Sequence, residues 1–141
     1  MSPGEKEAVE LISKAGLEAE ICSATRSVVK DIDVAMMYDA FTMFLLSSLE
    51  SYGISKKGEA GAFVEAGNLK LDGEWPSNTS GTELAWSYLQ GFTNLTEGIC
   101  QMRGESGACQ VKDAEICMVT GLGGAIEPAG GSGAACCILR R

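Results

Sequence analysis

Apolar and polar positions switch between two periods along the chain, and the switches mark its elements. From Glu7 to Ala15 the apolar residues Ala8, Leu11, Ile12 and Ala15 recur at helical spacing, and Gly16 follows as a C-cap. Residues 17–30 carry no sustained period beyond a short helix expected around Ala24 to Lys30. Asp31-Ile32-Asp33 then leads into the apolar run Val34 to Met37, which predicts a buried strand. Asp39 is placed to cap a helix from about Ala40 to Tyr52, and Gly53 ends it. Between Gly58 and Pro76 the period is lost, which predicts a long loop with a small hairpin around Phe63-Val64 and Leu69-Lys70-Leu71. Thr82 to Leu89 reads as a short helix that is partly loop. Thr93 to Arg103 reads as a firmer one, with Leu95, Ile99 and Met102 on its apolar face. Ala114 to Thr120 and Ala134 to Leu139 are the clearest strands. Their glycine-rich connection is too short for a helix, so they pair antiparallel. Helices alternating with buried strands make an α/β layered domain, one unit over residues 1–141.

Composition narrows the classes of function. Hydrophobic residues make up 45% of the 141, enough for a buried core. A net charge of −8 argues against nucleic acid and an anionic membrane as main partners. Arg103, Lys112, Arg140 and Arg141 could form a phosphate patch, but solvated surface charge is the commoner role for such residues. The longest nearly uncharged run, Ala40 to Leu49, is about half of a bilayer span. With no basic start and apolar core of a secretory signal, the expected location is the cytoplasm, where the Asn78-Thr79-Ser80 and Asn94-Leu95-Thr96 sequons carry no glycan. Cys22, Cys100, Cys109, Cys117, Cys136 and Cys137 form no C-x-x-C pair, and no histidine is present to complete a zinc site. They read as reduced core cysteines, and no metal is expected. Gly121-Leu122-Gly123-Gly124 and Gly130-Gly131-Ser132-Gly133 fit neither phosphate-loop pattern.

Two stretches carry a family resemblance: Asp31-Ile32-Asp33 to Tyr38-Asp39-Ala40-Phe41, and Gly73-Glu74-Trp75-Pro76-Ser77-Asn78-Thr79-Ser80-Gly81 running on to Tyr88 and Arg103-Gly104. Over nearly the whole chain it resembles the C-terminal half of the thiolase superfamily, in the sterol-carrier-protein thiolase branch. That half is a five-stranded mixed sheet with helices on its faces. In the family a strand precedes the first helix, whereas this chain begins at the helix; the resemblance therefore implies a piece of a longer or split protein lacking the first strand. The family's half supplies an Asn from an N-E-A-F-like motif, a His from G-H-P and a Cys from C-x-G. Those positions fall here on Tyr38, Tyr88 and Gly121.

The two tyrosines make the pattern similar to the thiolase-like aldolases that shorten steroid side chains held as CoA thioesters. Ser80-Gly81-Thr82-Glu83-Leu84-Ala85-Trp86 is closer to those enzymes than to the G-G-L-L-S run of thiolases. The resemblance implies retro-aldol cleavage of a β-hydroxyacyl-CoA with Tyr38 and Tyr88 as acid and base, since a phenol can serve as either. Each has a plainer role: Tyr38 as a core residue with its hydroxyl at the rim, Tyr88 as packing beside Trp86. Asp39 is a helix cap or an orienting group, and Glu83 a solvated carboxylate or an orienting group. Asn78, Thr79 and Ser80 read equally as a turn and as lining of the substrate channel. Gly121, Gly123 and Gly124 would bring backbone N–H groups near the thioester, although the insert Ala125 to Gly131 lengthens that loop beyond the family form.

No cofactor is expected beyond the coenzyme A of the acyl-CoA substrate. The implied partners are the N-terminal thiolase half or an upstream subunit and an OB-fold protein. A thiolase-like acyltransferase and a non-catalytic acyl-CoA- or lipid-binding subunit stand as alternatives.

Overall fold

The computed structural model describes residues 29–124 and 132–141. The expected helix Glu7–Ala15, its cap Gly16, nearly all of the short helix near Ala24, and the insert Ala125 to Gly131 lie outside the described residues. A 3-10 turn at Val29–Asp31 opens the described part. Then follow β1 (Val34–Met36), α1 (Thr42–Ser51), α2 (Ala60–Glu65), α3 (Thr82–Ala85), α4 (Phe92–Arg103), a 3-10 turn at Gly107–Cys109, β2 (Ile116–Gly124) and β3 (Ser132–Arg140). β2 lies between a parallel β1 and an antiparallel β3, as the pattern predicts for the latter pair, and the three strands seen among the described residues form a mixed sheet, as the resemblance implies.

β1 is buried at all three positions, as expected of a short parallel strand covered on both faces. Its outer edge is met by a bridge from Ala35 to Ser77, with Ala35 N–H donating to the Pro76 carbonyl at 2.9 Å and Asn78 N–H to the Ala35 carbonyl at 2.9 Å. The strand alternation divides the core in two. Ala35, Met37 and Met118 pack with Leu49, Ala60 and Trp75, on the side of α1 and α2. Val34, Met36, Cys117 and Val119 pack with Met102 of α4. At the chain start of β2, Asp33 Oδ2 accepts from the N–H groups of Glu115 and Ile116, both at 2.9 Å.

Four expectations are corrected. Gly58 to Pro76 holds α2 rather than a hairpin; Ala60, Phe63 and Val64 are at helical spacing against the core, and Gly67 at φ 85° stops the turn. Gly121 to Gly124 are not a loop but the far half of β2, paired with Ala135 back to Ser132. α4 turns a largely polar face inward: Thr93, Asn94, Glu97, Gly98 and Gln101 are buried beside Met102, while Ile99 is on the surface. Of the cysteines, Cys117 is in the core, whereas Cys109 and Cys137 are exposed.

Gly98 is what lets that polar face approach the sheet. A Cβ there would sit 2.7 Å from Val119 Cγ2 and 3.2 Å from both Cys117 Sγ and Leu139 Cδ1. Overpacking costs about 1–3 kcal/mol, against a helix-propensity gain of about 1 kcal/mol for Gly→Ala. Gly98→Ala is therefore expected to lower the urea midpoint, and a raised midpoint would show that α4 can move off the sheet freely.

Candidate active site

Tyr38 lies two residues past the end of β1, where its backbone N–H donates to Thr120 Oγ1 at 2.9 Å. Asn94 Nδ2 in turn donates to the Thr120 carbonyl at 3.2 Å, so α4 braces the same point. The Tyr38 side chain is 8% exposed and its ring is 6.1 Å from that of Phe44. Tyr88 arrives from the arch between α3 and α4 and remains 56% exposed. The two phenol oxygens are 3.1 Å apart, fifty residues distant in the chain. The hydrogen bond to Tyr88 is the main reason the Tyr38 phenol is pushed up to about 12; burial adds to it, and the nearby Tyr88, Glu83 and Asp39 charges push the same way.

That shift makes a stability prediction. The folded state favours the neutral phenol, so the contribution of Tyr38 is whole below its ordinary value of about 10 and is lost as pH rises toward 12. Wild-type protein should lose stability between pH 10 and 12 more steeply than Tyr38→Phe, read as the urea midpoint against pH. Equal slopes would remove the raised phenol.

Behind the pair lies a buried clamp. Asp39 is 4% exposed, and its carboxylate accepts from Asn78 Nδ2 at 3.1 Å, Thr82 Oγ1 at 2.5 Å and the Glu83 N–H at 3.0 Å. Asp39 therefore does not cap α1, whose N-cap Phe41 has no side-chain hydrogen bond; it ties the first turn of α3 instead. Asn78 completes the clamp, its Oδ1 accepting from the Met37 N–H at 2.6 Å. Both Asn78 (φ 54°) and Thr82 (φ 41°) are left-handed. For a β-branched threonine this is a strained conformation of order 1–3 kcal/mol, held by the surrounding bonds. Ser80 Oγ accepts from the Thr82 N–H at 3.4 Å.

Glu83 is not the solvated carboxylate that one reading of the sequence allowed. It is 8% exposed, its Oε1 accepts from the Gly91 N–H at 2.6 Å, and its Oε2 is buried without a partner. Neither Asp39 nor Glu83 shares a hydrogen bond with either tyrosine among the bonds described above. Thr79 faces α4, donating to Glu97 Oε1 at 2.7 Å and accepting from Gln101 Nε2 at 2.9 Å. Of the glycines, Gly121 lines a pocket of about 240 Å³, together with Gln90, Gly91, Leu95, Thr120 and Cys137. Gly123 and Gly124 pair with Gly133 and Ser132 along the ribbon. The pocket adjoins both tyrosines through the chain: Gln90 follows Tyr88 by two residues, and Thr120 holds Tyr38.

Sequence reading missed Thr82, Asn94, Glu97, Gln101 and Thr120. The signal was present in α4 as a polar stripe at 94, 97 and 101, the spacing of one helix face. Burial of Cys117 pushes its thiol up to about 12, so it stays protonated and inert. Among the described residues no group of three or more Cys, Asp or Glu gathers to hold a metal. No helix among them is long and apolar enough to cross a membrane.

This arrangement has relatives. A lyase of Mycobacterium tuberculosis, 17-hydroxy-3-oxo-4-pregnene-20-carboxyl-CoA lyase, is 41% identical over 76 residues, covering 54% of this chain and 20% of that protein. The steroid side-chain-cleaving aldolase of Thermomonospora curvata is 40% identical over 76 residues, covering 54% and 19%. An acetyl-CoA acetyltransferase of Methanothermobacter thermautotrophicus is 36% identical over 97 residues, covering 67% and 25%. The solved structure of an Ltp2-ChsH2(DUF35) aldolase matches with a TM-score of 0.62 at 37% identity, over 64% of this chain and 24% of that one. The chain thus spans between a fifth and a quarter of the length of these relatives. The profile of the family described as "Thiolase C-terminal domain-like" matches residues 6–135, and to that family the chain belongs.

Proposed function

We propose that this chain forms the C-terminal part of a thiolase-like enzyme that acts on acyl-CoA thioesters by retro-aldol cleavage of a β-hydroxyacyl-CoA of the steroid side-chain type. The observation that carries this reading is the contact of 3.1 Å between the phenol oxygens of Tyr38 and Tyr88. A bonded pair can move a proton in one direction and end unchanged. Tyr88, the exposed member, takes the proton of the substrate's β-hydroxyl and passes its own to Tyr38. Tyr38 delivers its proton to the α-carbon of the departing thioester enolate. The Cα–Cβ bond breaks, its electrons go to the enolate, and the hydroxyl carbon leaves as a carbonyl. Each phenol keeps one proton. At neutral pH the Tyr38 phenol carries its proton, as a donor must.

Support also comes from the similarity to a protein named as a pregnene-carboxyl-CoA lyase and to one named as a steroid side-chain-cleaving aldolase. The acyltransferase reading draws on the acetyltransferase relative. Against it stand the absence of any histidine and the glycine at 121, where the family motif has cysteine. The completing partner is a polypeptide carrying the N-terminal thiolase half. The segments that bear the pair expose Phe41, Met43, Trp86, Leu89 and Phe92, apolar surface of the kind a partner covers. An OB-fold protein is the second proposed partner.

The test is co-expression with a polypeptide carrying an N-terminal thiolase half, followed by an assay for release from a β-hydroxyacyl-CoA. Carbonyl product and shortened acyl-CoA in equal amounts are expected. Acyl transfer between thioesters without cleavage would replace the lyase reading by the acyltransferase one, and binding without turnover by the non-catalytic subunit.

A further inference from the structure

Tyr88 rides on an arch, residues 86–91, that leaves α3 and re-enters the protein at α4. Its backbone is fixed at Ser87, whose carbonyl accepts from Thr93 Oγ1 at 2.9 Å, and at Leu89, whose carbonyl accepts from the Phe92 N–H at 3.2 Å. The far end is the least comfortable part. Gln90 at φ 49° and Gly91 at φ 89° are consecutive left-handed residues, which side chains other than glycine resist. At that point Glu83 reaches across from α3 and takes the Gly91 N–H at 2.6 Å, while Asp39 pins the Glu83 backbone N–H at 3.0 Å.

A buried carboxylate oxygen without a partner is costly, and Glu83 Oε2 is one. A threonine or glutamine at 83 would avoid the buried charge, so its presence calls for a role other than stability. We propose that Glu83 is the positioning residue for Tyr88: its carboxylate clasps the end of the arch at Gly91 and so holds the Tyr88 phenol against that of Tyr38. The importance of this clasp for turnover rests on the tyrosine-pair reading; the clasp itself does not.

Two substitutions separate reach from charge. Glu83→Gln keeps an acceptor oxygen at the same distance from the backbone and removes the charge. Glu83→Asp keeps the charge and is one methylene too short to hold Gly91. The titratable groups facing Tyr38 are Tyr88, Glu83 and Asp39, and the Tyr88 hydrogen bond is the strongest influence among them. The readout is the Tyr38 ring-carbon shift at Cζ in the full chain, without substrate, followed by NMR from pH 7 to pH 11.

Wild type and Glu83→Gln should keep Tyr38 neutral to the end of that range. Glu83→Asp should let it begin to ionise within that range, as should Tyr88→Phe, because both lose the phenol–phenol bond; burial and the neighbouring carboxylates still hold it above the ordinary value. Loss in Gln but not in Asp would make Glu83 an electrostatic group only, and no change or an equal change in both would also overturn the clasp. A Tyr88→Phe chain whose Tyr38 follows the same curve as wild type up to pH 11 would remove the contact between the phenols, and the lyase reading with it. Because no substrate is present, failure of the clasp and failure of the lyase reading are told apart.

Discussion

Tyr38→Phe and Tyr88→Phe, each in a complex that turns over, lower kcat by roughly 10²–10⁴-fold, the range for loss of a positioned acid or base. Substrate affinity should move little, since phenylalanine keeps the ring and removes only the hydroxyl. The two phenols act as one proton relay, so the double substitution should cost scarcely more than either single one. That non-additivity is the informative result. Two groups acting independently would give the product of their separate losses, and the 3.1 Å contact would then be incidental to the reaction. Single substitutions with near wild-type turnover would end the relay altogether.

Asp39→Ala is the substitution with the largest expected effect on stability. It removes the acceptor for Asn78 Nδ2, Thr82 Oγ1 and the Glu83 N–H at once, inside a site that is 4% exposed. Each buried donor left unmade costs about 1–3 kcal/mol, so a total of roughly 3–5 kcal/mol follows once partial relaxation is allowed for. Asp39→Asn keeps one acceptor oxygen but turns an amide toward the Asn78 amide, and should lose about half as much. Urea unfolding of the two variants checks the order. An Asp39→Ala chain within about 1 kcal/mol of wild type would mean that water replaces the carboxylate and that the clamp is not structural.

Much of this fold could be read from apolar runs, because β1, β2 and β3 carry the residues that a two-sided core buries. The meeting of Tyr38 and Tyr88 was legible only through the family pattern, since nothing in local spacing links positions fifty residues apart. The errors share a cause. Asp39 stands where a cap of α1 would stand, yet its carboxylate serves α3, and a choice between two helices is made by tertiary geometry. Leu95 and Met102 of α4 face the core as their spacing predicts, but Gly98 and the partners of Glu97 and Gln101 set the rotation that leaves Ile99 on the surface. Polar residues can be buried when every partner is in place, and partners are not visible in a single sequence. Glycines at 121, 123 and 124 suggested a loop because glycine is poor in strands; a ribbon pairing from Ile116 to Gly124 overrides that preference.

The left-handed threonine at 82 sets how the molecule opens. Strain stored at φ 41° is released whenever the Asp39 bonds break, whereas the β2–β3 ribbon has no such reservoir. Residues 82–91 are therefore expected to open as a unit, with amide protons exchanging before those of the sheet. Loss of the local bonds would thus separate the two phenols at less cost than unfolding the sheet, an expectation that exchange protection at 82–91 against 116–124 checks.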